Sequence, residues 1–174
     1  MTWWVSRRKS DRSASARASD VITRISRRVT STSTGRGAPF SEADNTWFTL
    51  LTMNTHPLHF DAAYAAQSEF GRPLVNSCLT LSIVVGMSVS DVSQKAIGNL
   101  GWTDIKLTAP VFVGDTIYAE SEVLAKRESA KRPTQGIVTV RTIGRKHDGT
   151  VFISFERTVL VPKRGHAVDD RAEY

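Results

Sequence analysis

Two histidines three residues apart, His56 and His59, stand in the run Asn54-Thr55-His56-Pro57-Leu58-His59-Phe60-Asp61. Imidazole changes charge near neutrality, so it can take a proton from one group and hand it to another. A few residues on, Phe70-Gly71-Arg72-Pro73-Leu74-Val75-Asn76-Ser77 leads into a long apolar stretch. That order describes a polar site set against the end of a buried helix. The histidines also read as structural groups, each bonding backbone in a tight loop. Metal ligation is disfavoured, because a catalytic zinc site takes three protein ligands and no third is suggested nearby. No glycine-rich phosphate loop, serine-triad signature or dinucleotide fingerprint occurs.

The elements that must hold these residues follow from pattern. Ser41-Glu42-Ala43-Asp44 forms a capping box, and Trp47, Phe48, Leu50 and Leu51 then supply the apolar face of a first helix. Pro57 cannot lie inside a helix, so the chain must leave it around residues 52–54. A second helix is expected from Asp61, its cap, to Phe70, ended by Gly71. Asn76-Ser77 then caps an apolar helix running from Cys78 to Val89, greasy enough to predict burial all round, Cys78 included.

From residue 98 the period changes to two. Strands are predicted over 103–107, 116–124, 137–143 and 151–161, with a Gly114-Asp115 turn and a His147-Asp148-Gly149 hairpin. Sequential hairpins make an antiparallel sheet, so the expected fold is α+β, a curved antiparallel sheet wrapped around one central apolar helix. Exposed edge strands in such a sheet favour pairing across a two-fold axis.

At 174 residues the chain suits one domain with a real core. Its apolar runs fall short of a membrane span, and its single cysteine fits a reducing compartment, the cytoplasm. The net charge of +6 is unevenly placed: residues 1–40 carry nine basic and two acidic residues, a surplus of seven that leaves the remainder one charge below neutral. The division expected is therefore a basic, Ser/Arg-rich, poorly ordered segment at 1–40, a folded domain at 41–163, and a charged tail at 164–174. Within 1–40, Val21-Ile22-Thr23-Arg24-Ile25 is the one stretch expected to pair as a short strand. The segment reads mainly as a solvated N-terminus; an organelle transit peptide and a nucleic-acid-binding arm are the rival readings.

The run from Phe48 through Asn54–Asp61 and Ala65 to Phe70-Gly71-Arg72-Pro73, with Pro110-Val111-Phe112-Val113-Gly114-Asp115-Thr116, resembles the MaoC-like dehydratases and (R)-specific enoyl-CoA hydratases, which have the hot-dog fold. The resemblance covers about residues 41–163. It departs at four places: Asn54 stands where the family carries its catalytic Asp, His56 where it has Asn, Asn76-Ser77 where it has His-Gly, and the strand-forming segment that precedes the family's first helix is not recognisable in residues 1–40. The Asn-Thr-His-Pro-Leu-His-Phe-Asp variant resembles a subgroup of mesaconyl-, itaconyl- or β-methylmalyl-CoA hydratases.

What this implies is reversible hydration of an enoyl-CoA, with a short branched or dicarboxylic acyl group. Such a reaction needs a positioned water, a proton for the α-carbon and donors for the thioester oxygen. His59 aligns with the family's histidine. His56 or His59 would do the ionisable work while Asn54, unable to take a proton, holds the water. The amides of Asn76 and Ser77 would form the oxyanion hole. Arg72, beside Pro73, would meet a substrate carboxylate or a CoA phosphate, or stand as a solvated loop residue. No cofactor is implied, since CoA is part of the substrate, and the partners expected are an acyl-CoA and a second copy of the chain, as a homodimer or larger homo-oligomer. The rival class is a non-catalytic acyl-thioester binder or partner subunit, motivated by the missing Asp. Nucleic-acid binding is the weakest, because the folded part has no basic surplus.

Overall fold

The computed structural model describes residues 38–168 in full, together with the backbone of residues 28 and 29. Two short strands, β1 (Arg28–Val29) and β2 (Ala38–Pro39), precede helix α1 (Glu42–Leu51). A 3-10 turn (Pro57–His59), a one-turn helix α2 (Ala62–Ala65) and the long helix α3 (Ser77–Met87) follow. A π-helical turn (Val89–Ser93) then leads to four long strands: β3 (Gly98–Leu107), β4 (Thr116–Glu128), β5 (Gln135–Lys146) and β6 (Val151–Pro162).

The strands form one antiparallel sheet in the order β1-β4-β5-β6-β3, with β2 beside β1 on the free edge of β4. Alternation puts Ile117, Ala119 and Ser121 of β4 inward and leaves Tyr118 and Glu120 on the wetter face, as a half-buried strand requires. The inward residues meet Leu79 and Val84 of α3, with Phe152, Ile153 and Phe155 of β6 closing the main cluster. At Gly144 of β5 the packing leaves no room for a side chain: a Cβ would lie 2.6 Å from Phe152 Cζ and 2.7 Å from Ile153 Cγ2. The β5–β6 hairpin turns where expected, with Gly149 at φ +87° and Asp148 Oδ1 accepting the Thr150 N–H at 2.9 Å.

Several elements differ from the expectation. Residues 28–29 and 38–39 pair with β4, so the sheet begins upstream of residue 41: the outer edge of β4 offers unpaired amides and carbonyls that this segment meets. The strand expected at 21–25 lies outside the described residues. Helix α2 stops at Ala65, five residues short of the expected run to Phe70, because the chain turns at once toward Gly71, which takes φ +68°.

The capping box of α1 is formed: Ser41 Oγ accepts the Asp44 N–H at 3.1 Å and Asp44 Oδ2 accepts the Ser41 N–H at 3.3 Å. Its buried face, however, is Asn45 and Thr49, whereas Trp47, Leu50 and Leu51 are exposed and only Phe48 packs on the core. Helix α3 is not buried all round either. Leu79, Thr80 and Val84 face the sheet, and Cys78, Ser82 and Gly86, spaced four apart, are exposed along the opposite stripe. The core of one chain covers one side of a cylinder, and a uniformly apolar sequence does not tell which side.

Arg157, in the middle of β6, is 1% exposed. Its Nη2 donates to Ser88 Oγ at 3.0 Å, its Nε has no partner, and burial lowers its pKa.

Candidate active site

The site is built on the segment between α1 and α3. Helix α1 ends at Leu51, and Thr52 and Met53 (φ +60°) turn the chain out, after which Pro57 opens the 3-10 turn. Asn54 Oδ1 accepts the His56 N–H at 3.0 Å, and His56 Nδ1 accepts the Leu58 N–H at 3.2 Å. An imidazole nitrogen that accepts carries no hydrogen, so neutral His56 holds its proton on Nε2 and can only donate there. His59 is the reverse case. Its Nδ1 lies 2.9 Å from the Leu74 carbonyl oxygen, which can only accept, so Nδ1 carries the proton and Nε2 keeps a lone pair. Of the two neutral rings, His59 is the one that keeps its acceptor nitrogen on Nε2. The rings are 5.9 Å apart between centroids, and Tyr64, on α2, stands edge-on to His56 at 6.0 Å.

Leu74 and Val75 deliver the chain into α3. Val75 donates its N–H to Val111 at 2.8 Å, and Leu74 bridges to Phe112. The turn carrying Phe112 is pinned in turn by Asp115, whose Oδ2 accepts the Phe112 N–H at 3.0 Å and pairs with Lys146 Nζ at 2.7 Å. The carbonyl that orients His59 therefore belongs to a strand end fixed from both sides.

At the start of α3, Asn76 Oδ1 caps the Cys78 N–H at 2.9 Å and Asn76 Nδ2 donates to Thr49 Oγ1 at 3.2 Å. The Asn76 N–H does not face an open site: it donates to Asn45 Oδ1 at 2.8 Å. This corrects the expected oxyanion hole. The amide of Asn76 is consumed by a buried side chain of α1, and among the described residues the Ser77 and Leu79 N–H groups of the first turn take no partner. Ser77 also lines an open cavity of about 330 Å³ with Phe70, Leu74, Val75, Thr80 and Thr108. Among the described residues its walls are apolar apart from hydroxyls, and no cation lines it.

Arg72 is exposed and lies over the Phe112 ring, 3.9 Å from its centre, while Phe112 meets Phe70 of the cavity wall at 6.4 Å. Pro73 is half-buried between Arg72 and Leu74. Leu74 is thus the common point: its carbonyl meets His59 Nδ1 and its residue lines the cavity with Ser77, while His59 itself is not among the lining residues, His56 and Asn54 lie on the preceding loop and Arg72 stacks on Phe112. Asn45, Thr49 and Tyr64 were not singled out from the sequence. The available signal was Asn45 and Thr49 four apart on one face of a helix otherwise rich in large apolar residues. Among the described residues no group of three or more His, Cys, Asp or Glu side chains is placed to hold a metal ion, and no helix is long and apolar enough to cross a membrane.

Comparison with known proteins gives the family and the fold. Residues 14–146 match the family described as MaoC like domain, and the chain belongs to that family. The match begins inside the basic N-terminal segment, upstream of residue 41. The mesaconyl-CoA hydratase of Haloarcula marismortui is 33% identical over 120 residues, which is 68% of this chain and 34% of that protein. The (R)-specific enoyl-CoA hydratase of Aeromonas caviae is 33% identical over 123 residues, 71% of this chain and 87% of that one. Among solved structures, a Mycobacterium tuberculosis protein described as having a double hot-dog fold superposes with a TM-score of 0.67 at 21% identity, over 76% of this chain and 42% of its own. The fold is the hot-dog fold, α+β as expected. The chain spans about a third of the length of the mesaconyl-CoA hydratases it resembles.

Proposed function

We propose that this chain adds water reversibly to the double bond of an enoyl-CoA thioester, acting as a hydro-lyase. The observation that carries the reading is the bond from His59 Nδ1 to the carbonyl of Leu74, three residues before α3, which leaves Nε2 as the ring's acceptor and so as a base. Relatives named as enoyl-CoA and mesaconyl-CoA hydratases support it.

The steps balance on these groups. His59 Nε2 takes a proton from a water as that water's oxygen bonds to the β-carbon. The π electrons move to the thioester oxygen, where the Ser77 N–H and the positive end of α3 stabilise the enolate. The imidazolium then returns its proton to the α-carbon, and His59 is neutral again. Protons move and no net electrons are exchanged, so the reaction needs no resident cofactor. Asn54 spends Oδ1 on the His56 backbone, which leaves its NH₂ to hold the water. The cavity of about 330 Å³ suits a short acyl group. A terminal carboxylate would find no cation in its wall and would turn toward Arg72, which, with Pro73, forms the other side of the approach.

The working unit in this reading is a homodimer in the cytoplasm. Strand β3 is an unpaired edge, and Leu100, Trp102, Ile105 and Leu107 on it are all exposed in the single chain. The stripe of Cys78, Ser82 and Gly86 on α3 is small enough for a second helix to approach.

Purified protein offered a panel of enoyl-CoA esters should yield products heavier by one water, with short branched and dicarboxylic esters fastest. His59→Ala should abolish the gain. Tight binding of the esters without turnover, by titration calorimetry, would instead favour the acyl-thioester binder that Asn54 in place of Asp brings to mind. Turnover unchanged in His59→Ala would end the assignment.

A further inference from the structure

We propose that Asn45, on the buried face of α1, is the positioning residue that holds the His59 imidazole in its basic tautomer and sets it against the mouth of α3. The inference rests on the hydratase reading for its catalytic consequence, but not for its structural one. Asn45 is 1% exposed and spends both its donors and one of its two acceptor positions on three separate pieces of the site. Its Nδ2 donates to the His59 carbonyl at 2.7 Å and to the Leu74 carbonyl at 3.1 Å, and its Oδ1 accepts the Asn76 N–H at 2.8 Å. The orientation of the amide is fixed by these partners, since two carbonyls demand the NH₂ and a backbone N–H demands the oxygen.

The Leu74 carbonyl is the shared point: it receives both Asn45 Nδ2 and His59 Nδ1. Asn45 therefore grips His59 twice, at its main chain directly and at its ring through Leu74. The same side chain fixes the first residue of the α3 cap, whose Nδ2 is in turn held by Thr49 one helical turn along α1. One amide thus sets the spacing between the base and the oxyanion donor. Such spacing matters because reacting groups misplaced by about 1 Å lose on the order of 100-fold in rate. It also gives α1 a purpose its sequence obscures, since the helix faces the core with Asn45 and Thr49 while Trp47 and Leu51 face outward.

Three readouts on the full chain test this. Long-range nitrogen–proton NMR of the imidazoles reports the His59 tautomer directly. In the wild type it should show the proton on Nδ1; in Asn45→Ala it should show a mixture with substantial Nε2–H, while the remaining fold gives a cooperative melt. Steady-state hydration should lose at least about 30-fold in kcat with KM within about threefold, the pattern of lost transition-state geometry. If Asn45→Ala does not fold, Asn45→Asp keeps the shape and the acceptor facing Asn76 but turns an oxygen toward two carbonyls, and should shift the tautomer likewise. Thr49→Val, which leaves all three Asn45 bonds in place, should retain the wild-type tautomer. An Nδ1–H tautomer in both Asn45 variants equal to the wild type would overturn the proposal. Wild-type protein inactive on every ester would sink the hydratase reading alone, since the tautomer would still report what Asn45 does.

Discussion

Asn76 allows the sharpest calculation. Its side chain is 3% exposed and does two things: Oδ1 caps the Cys78 N–H at 2.9 Å, and Nδ2 donates to Thr49 Oγ1 at 3.2 Å. Truncation in Asn76→Ala loses an N-cap, about 1 kcal/mol, and leaves a buried hydroxyl short of a partner, about 1–2 kcal/mol more. The variant should lose about 2–3 kcal/mol in all. Asn76→Asp has the same shape. Its carboxylate still caps Cys78, gains about 0.5 kcal/mol from the positive end of α3, and can accept from the Thr49 hydroxyl turned round as donor. At neutral pH the Asp variant should therefore lie within about 1 kcal/mol of the wild type. Urea denaturation of the three proteins at neutral pH measures all of this. If Asp costs as much as Ala at neutral pH, the cap geometry is not what holds this end of α3.

Three further outcomes are expected. Gly144→Ala drives a methyl into Phe152 and Ile153 and should destabilise by about 1–3 kcal/mol in the same denaturation assay, with activity per folded molecule kept. At Arg157, burial depresses the pKa, so near neutrality its charge weighs against folding and that weight lifts only in alkali. Arg157→Met should accordingly leave the urea midpoint unchanged or raised, whereas Ser88→Ala, which strips the guanidinium's bond, should cost about 1–3 kcal/mol. Ile105→Lys on the exposed β3 edge should convert a dimer to a monomer in sedimentation velocity.

The long strands and the hairpin at 147–149 were legible because period-two alternation and Asp-Gly chemistry are local properties. The capping box at Ser41 and the Asn76 cap were legible for the same reason. What misled was the choice of face. On α1 the large apolar residues implied a core stripe at Trp47, Leu50 and Leu51, yet two polar residues are buried because a site needed their hydrogen bonds more than the core needed their volume. On α3 a sequence apolar on every side carries no information about direction, so Cys78 was expected inside and lies outside. The amides at the start of α3 were half legible: a helix start predicts free N–H groups at Asn76 and Ser77, but a side chain 31 residues earlier takes the first, and no local pattern announces it.

A crystal structure with a bound, unreactive acyl-CoA thioether or saturated acyl-CoA tests the central claim most directly. The carbonyl oxygen should accept from the Ser77 N–H at about 3 Å, with the acyl chain in the cavity beside Phe70 and Thr80 and the β-carbon across a water from His59 Nε2. A thioester seated elsewhere, with His59 and the α3 terminus both out of its reach, would contradict the account.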